Sequence, residues 1–225
     1  MIFVPARTVL AILGAALLAS CATTGSQQAP ASWDGLEKRD AKDVDALYVR
    51  PNYKFPHYRK VILDPCQVSF SKDWDPNSNT PDLSRRLDSD DIQKIKDGLA
   101  KLFRERFTRE LTAGGYEVVD TATENTIRVT PAIIDLYVNA PDKMAPGISR
   151  TYTTSAGAMT LAMEVRDAPT GALLARVVDR QRAMDTGRLQ WTNSVTNTAE
   201  AERAIDRWAR QLRAGLDRVN GPNNP

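Results

Sequence analysis

Few side chains in this sequence stand in an arrangement that chemistry could use, and each meets a plainer reading. His57 is the single histidine among 225 residues, so a Ser-His-Asp proton relay would have to run through it. It sits between Pro56 and Tyr58 in residues 50–60, where five basic side chains mix with aromatic rings. Rings packed on a sheet with basic heads in water are the default there, and contact with lipid headgroups near a tether is the alternative. Asp73, Asp75, Asn77 and Asn79 place oxygens at every second position, as a calcium loop does. Counted from Asp73, however, the sixth position is Ser78 where the turn needs glycine, and the twelfth is Ser84 where a bidentate glutamate closes the site. An Asx-rich turn is therefore expected and no metal. No HExxH, CxxC, GxGxxG or P-loop spacing occurs. No catalytic residue and no cofactor is assigned, and the chain is expected not to be an enzyme.

Three aromatic residues, Trp74, Tyr152 and Trp191, fall in stretches that read as loops. Gathered at one end of a sheet they would make an interaction patch, because large rings dominate recognition energetics. As lids over the edge of a core they would do nothing more than pack. Cys66 lies in a strand-like run and has no partner cysteine inside the chain if Cys21 is used otherwise.

Cys21 is where covalent chemistry is written most legibly. Residues 1–20 carry one positive charge at Arg7, an apolar run from Thr8 to Leu18 and the small pair Ala19-Ser20, which is the layout of an export signal. Eleven apolar residues are too few for a helix that must cross a hydrocarbon core with about 20. The order Leu18-Ala19-Ser20-Cys21 resembles the lipobox of bacterial lipoproteins, in which the thiol is acylated and becomes the mature N-terminus. At about 0.8 kcal/mol for each buried methylene, two or more acyl chains anchor stably where one does not. A plain secretory leader with a chance cysteine is the competing reading. Ala22 follows in place of aspartate, and the resemblance then implies the outer membrane, facing the periplasm.

What must carry these residues follows from the rest of the chain. With 42% hydrophobic and 26% charged residues the composition is that of a globular protein. Thirty basic against 28 acidic side chains give no field that would gather nucleic acid. Residues 1–20 are expected to be a lipoprotein signal peptide. Residues 21–58 would hold the lipidated cysteine, a flexible tether and an extended lead-in, and residues 59–220 a single α+β domain. A polar tether of about 11 residues reaches about 17 to 20 Å.

Within the domain, residues 61–70 alternate as a strand. Ser89 is expected to cap a helix carrying Ile92, Ile95, Leu99, Phe103, Phe107 and Leu111, ended by Gly114-Gly115. Residues 116–119 and 127–138 read as strands, the second with a phase change at Pro131 that suggests a bulge. A hairpin turns at residues 167–171. A last helix starts near Asn197 and buries Ala201, Ile205, Trp208, Leu212 and Leu216. The expected fold is α+β: a mainly antiparallel sheet of about five strands with two helices on one face.

The stretches YRKVILDPCQVSFSKDW, LAMEVRDAPTGALLARVVDRQ and DRWARQLRAGLDRV together resemble the bacterial lipoproteins grouped as the domain of unknown function DUF3313, over about residues 34–219. That resemblance implies an envelope lipoprotein and transfers no catalytic residue; Cys66 stands where the family pattern calls for valine. The expected function is a membrane-anchored, non-enzymatic binding or accessory module. Its partners would be the membrane, through the lipid, and an envelope protein, lipid or glycan, without nucleic acid. The rivals are an envelope hydrolase with an unrecognised site, marked by titratable groups in a concave pocket, and an accessory subunit of a transport or assembly complex, marked by an apolar patch or an open sheet edge.

Overall fold

The structure, a computed structural model, describes residues 30–78, 83, 86–138, 151–153, 157–182, 190–192 and 194–221. The elements run β1 (Ser32–Trp33), β2 (Leu36–Arg39), β3 (Ala46–Val49), β4 (Lys60–Leu63), β5 (Gln67–Phe70), α1 (Ser89–Ala113), β6 (Glu117–Val118), β7 (Thr126–Val138), β8 (Thr151–Thr153), β9 (Gly157–Asp167), β10 (Leu173–Arg182), β11 (Gln190–Thr192) and α2 (Ser194–Val219). The α+β class stands, but the sheet does not match the expectation of about five mainly antiparallel strands. Among the described residues nine strands form one mixed sheet in the order β1-β2-β3-β10-β9-β7-β4-β6, with β5 also on β7, and β8 and β11 form a separate pair.

The mixed character comes from α1. A strand that leaves the sheet through a helix returns beside its starting strand in the same direction, because no short hairpin can reverse it. Thus β4 pairs parallel to β7, Lys60↔Thr126 through Leu63↔Val129. Farther along the same edge β5 takes over, from Gln67↔Ala132 to Phe70↔Leu136. Asp64, Pro65 and Cys66 form the break between them. Pro131 lies opposite that break, a position with no ladder partner on that side, which is why a proline fits in so central a strand.

Both helices press on one face of the sheet. Phe103, Phe107 and Leu111 of α1 and Ile205, Trp208, Ala209, Leu212 and Leu216 of α2 share one core with Val61, Leu63, Ile127, Val129, Ile133, Leu161 and Met163. Phe103 and Phe107 stack with centroids 3.9 Å apart. The cap of α1 is Asp88, one residue before the expected Ser89. Its side chain accepts from the Asp91 N–H at 2.9 Å, and the Asp91 carboxylate accepts from the Asp88 N–H at 3.3 Å. A carboxylate at each end of this reciprocal box also suits the positive end of the helix dipole. Helix α2 begins at Ser194, three residues before the expected Asn197.

Two buried polar ties lock the ends of the layers. Asp179 of β10 accepts from Trp208 Nε1 at 2.7 Å, Gln181 Nε2 at 2.6 Å and the Asp45 N–H at 3.2 Å. Asn220, just past α2, clasps the backbone of Tyr58, accepting its N–H at 2.9 Å and donating to its carbonyl at 2.8 Å. The Tyr58 hydroxyl in turn donates to Asp167 at 2.9 Å in the β9–β10 turn. Burial alone would raise the Asp167 carboxyl, but the Thr170 hydroxyl and N–H and the Tyr58 hydroxyl outweigh it and hold it below the usual carboxylate range.

Candidate interaction surface

Trp74, one of the residues named from sequence, stands at one end of the sheet, where β5 and β7 finish and β9 begins. The backbone there is shaped by a bulge. Between Ile134 and Tyr137 strand β7 spends one residue more than β9, and between Ile133 and Leu136 one more than β5. The extra residue is Asp135, whose φ is +51°. The bulge therefore falls at Asp135, four residues beyond the expected position, because buried Pro131 keeps the inward phase opposite Met163. Past the bulge the phase reverses, so Leu136 turns inward and Tyr137 stands 40% exposed.

Trp74 is built into this end from the other side. Its N–H donates to the Ser71 carbonyl at 3.1 Å, a tight turn directly after β5. The turn lays its ring on Phe70 with centroids 3.8 Å apart and planes 8° from parallel. Trp74 Nε1 donates to the Val138 carbonyl at 3.0 Å, and Lys96 Nζ of α1 stands 5.9 Å from the Phe70 centroid. The Asp73–Asn79 stretch, as far as it is described, behaves as an Asx turn. Asp75 Oδ1 accepts the Asn77 N–H at 2.8 Å, and the Asn77 amide holds Leu87 by both N–H and carbonyl, at 2.9 and 3.1 Å. Asp75 Oδ1 and Asn77 Oδ1 thus each accept a backbone N–H of the segment between β5 and α1. Trp74 and Phe70 are both half-buried, as are Ile92, Ile95 and Leu99 on the adjoining half of α1, so this end keeps partly open apolar surface.

Trp191 and Tyr152, expected in loops, lie in strands. Trp191↔Tyr152 is the middle rung of the β8–β11 pair, flanked by Gln190↔Thr153 and Thr192↔Thr151. The chain bounds where that rung sits. Tyr152 is five positions before Gly157, and a fully extended chain covers at most about 18 Å over that interval. Gly157 is the register partner of Val138, whose carbonyl holds Trp74. The backbone thus brings Tyr152 and Trp191 onto one rung, and the chain limits Tyr152 to at most about 18 Å from Gly157. Phe70, the residue that orients Trp74, escaped the sequence reading: its ring meets Trp74 only because the turn at Ser71 folds the chain back.

The remaining residues singled out from sequence have plain settings. His57 is exposed. Cys66 is a buried free thiol whose Sγ lies 3.7 Å from the Gln67 carbonyl, and burial pushes it up to about 12. No helix among the described residues is long and apolar enough to cross a membrane. Cys21 lies outside the described residues.

The family model of the protein of unknown function DUF3313 matches residues 26–212. No curated protein matches the chain. Among solved structures, a Xanthomonas campestris protein of family DUF330 is similar at a TM-score of 0.42 and 12% identity, over 77% of this chain and 92% of that one. A minor lipoprotein from Acinetobacter baumannii is similar at 0.35 and 10%, over 72% and 94%. The PelC dodecamer from Paraburkholderia phytofirmans is similar at 0.33 and 10%, over 72% and 94%. Likenesses at this level carry no argument about role.

Proposed function

The chain belongs to the DUF3313 family of proteins of unknown function, and from that premise we propose that it is a lipid-anchored accessory module of a bacterial cell envelope that binds a partner without catalysis. The observation that carries the reading is the order Leu18-Ala19-Ser20-Cys21 behind an export-type leader. Its setting supports it. The chain enters the described structure at exposed Pro30, beside β1 at one edge of the sheet, so a lipid on Cys21 would leave the opposite edge and the aromatic end free. With Ala22 next, the anchor is assigned to the outer membrane and the domain to its periplasmic side.

The test is direct. Mass analysis of native material is expected to find the chain starting at an acylated Cys21, and Cys21→Ser to leave an unlipidated precursor absent from the membrane fraction. An unmodified start residue, or full membrane retention of the variant, would sink the anchor.

A specific observation favours the accessory-subunit form of this reading over the hydrolase form. Strand β5 has one ladder partner among the described pairings, β7, and its last residue, half-buried Phe70, stacks on half-buried Trp74. An open edge beside apolar surface suits docking of another protein. Trp191→Ala is expected to weaken capture of that partner in cell cross-linking while the far-UV spectrum and unfolding midpoint stay near those of the parent. Loss of the fold instead would make Trp191 a core residue and remove it from the docking surface.

A further inference from the structure

The first described elements are fastened to the sheet over a small cluster of their own. Strands β1 and β2 form a hairpin whose turn residues, Asp34 and Gly35, have φ of +50° and +77°, the backbone that a tight two-residue hairpin loop requires. Three register pairs join β2 to β3: Glu37↔Val49, Lys38↔Tyr48 and Arg39↔Leu47. Under the hairpin lies a small cluster of its own, Leu36, Ala46, Tyr48 and Leu173, separate from the main core. The rest of the fastening is polar. Arg176 of β10 lies 4.4 Å from the Trp33 ring centroid and pairs with both Asp34 and Glu164. The Tyr48 hydroxyl donates to the Pro30 carbonyl at 3.0 Å.

Just beyond the hairpin the chain is tied to the main body. Gln211 of α2 donates to the Asp43 carbonyl. Asp45 accepts the Arg180 N–H at 2.9 Å and gives its own N–H to buried Asp179. Strand β3 then pairs with β10 through four registers.

We propose that the β1–β2 hairpin is a detachable strap that peels from β3 as far as Asp43, giving the domain two reaches from its anchor. The proposal rests on the lipid-anchor reading of Cys21. Pro30 stands nine positions after Cys21 and Asp43 stands 22 after it. An extended chain therefore allows at most about 32 Å with the hairpin docked and about 79 Å with it released. Peeling uncovers Leu36, Tyr48 and part of Trp33 and leaves the main core whole. A unit with so little apolar burial of its own opens well before the global transition.

Amide hydrogen exchange on the mature lipidated chain and on the unlipidated Cys21→Ser precursor tests the strap. Residues 36–39 are expected to exchange at least about tenfold faster than residues 161–165 of β9, and Arg176→Gln to speed them about tenfold again while β9 is unchanged. Tyr48→Phe, which keeps the ring and drops the bond to Pro30, is expected to move them in the same direction. A disulfide made by Glu37→Cys with Val49→Cys, on facing register positions, is expected to abolish the fast exchange. Exchange of residues 36–39 in step with β9 in all of these proteins would overturn the strap. Native material without fatty acid on Cys21 would instead remove the two reaches while leaving the exchange result as it was.

Discussion

Trp208→Ala is expected to lower the unfolding free energy by about 4 kcal/mol, the middle of the range for deleting a large buried aromatic side chain. Trp208 is 1% exposed and lies among Ile205, Leu212 and the inward residues of the sheet. Alanine would leave a void between two layers that are already fixed by their own hydrogen bonds, so the site has little freedom to collapse. It would also strip Asp179 of its 2.7 Å donor in a place that is 3% exposed. Trp208→Phe separates the two effects. Phenylalanine restores most of the volume and none of the N–H, and is expected to cost about 1 to 3 kcal/mol, the cost of leaving a buried acceptor short of a partner. Urea unfolding measures both as a lowered midpoint at unchanged slope. A phenylalanine variant as stable as the parent would mean that Gln181 and the Asp45 N–H suffice for Asp179.

The two variants also mark what a reader of the sequence sees. The stripe Ile205, Trp208, Leu212, Leu216 is local, so its burial follows from helical spacing alone. Asp179 is a different matter. It is a charged residue in a strand whose role is set by Trp208, 29 positions away, and by Asp45, 134 away; no local pattern contains those partners. The same distinction runs through the fold. The turn at Asp167–Gly171 is legible because Asp167 accepts the Thr170 N–H at 2.9 Å within four residues. The α1 stripe is legible too, and only its cap moved, because Asp88 with Asp91 makes a reciprocal box that Ser89 cannot make. The sheet was undercounted for the opposite reason. Strands β1 to β3 hold two to four residues each and sit between polar turns, so alternation has no length in which to show. Parallel pairing of β4 with β7 is a long-range fact created by α1.

The candidate surface follows this rule. Trp74, Tyr152 and Trp191 attract notice by type, and nothing in residue type predicts that Tyr152 and Trp191 share a rung or that Trp74 lies on Phe70. Those relations depend on turns and ladders between distant segments. The bulge at Asp135 is a case in point: an aspartate in a strand reads as a solvent-facing residue, and its positive φ shows only when β5 and β9 both skip a position beside it.

Gly157→Ala is the second large effect, and it tests how that end is held. Gly157 has φ of +135°, where a side chain is strained whatever the space around it. The space is also absent, since an added Cβ would stand 2.1 Å from the Tyr137 carbonyl oxygen and 3.2 Å from its carbon. Backbone atoms of the neighbouring strand cannot swing aside as a flexible side chain does, so β9 must separate from β7 at this rung. The expected loss is roughly 3 kcal/mol, at the upper end of the range for backbone strain at a single residue. The damage should be directional. Val138 is the register partner of Gly157 and its carbonyl holds Trp74 Nε1, so parting the strands unseats Trp74 and shifts the chain that leads back to β8. A folded Gly157→Ala protein is therefore expected to lose partner capture as Trp191→Ala does, with Trp74 and Trp191 both intact in sequence. An unfolding midpoint equal to the parent's would show that the β7–β9 rung yields without cost. A lowered midpoint with undiminished capture would detach the aromatic residues from the partner's docking site.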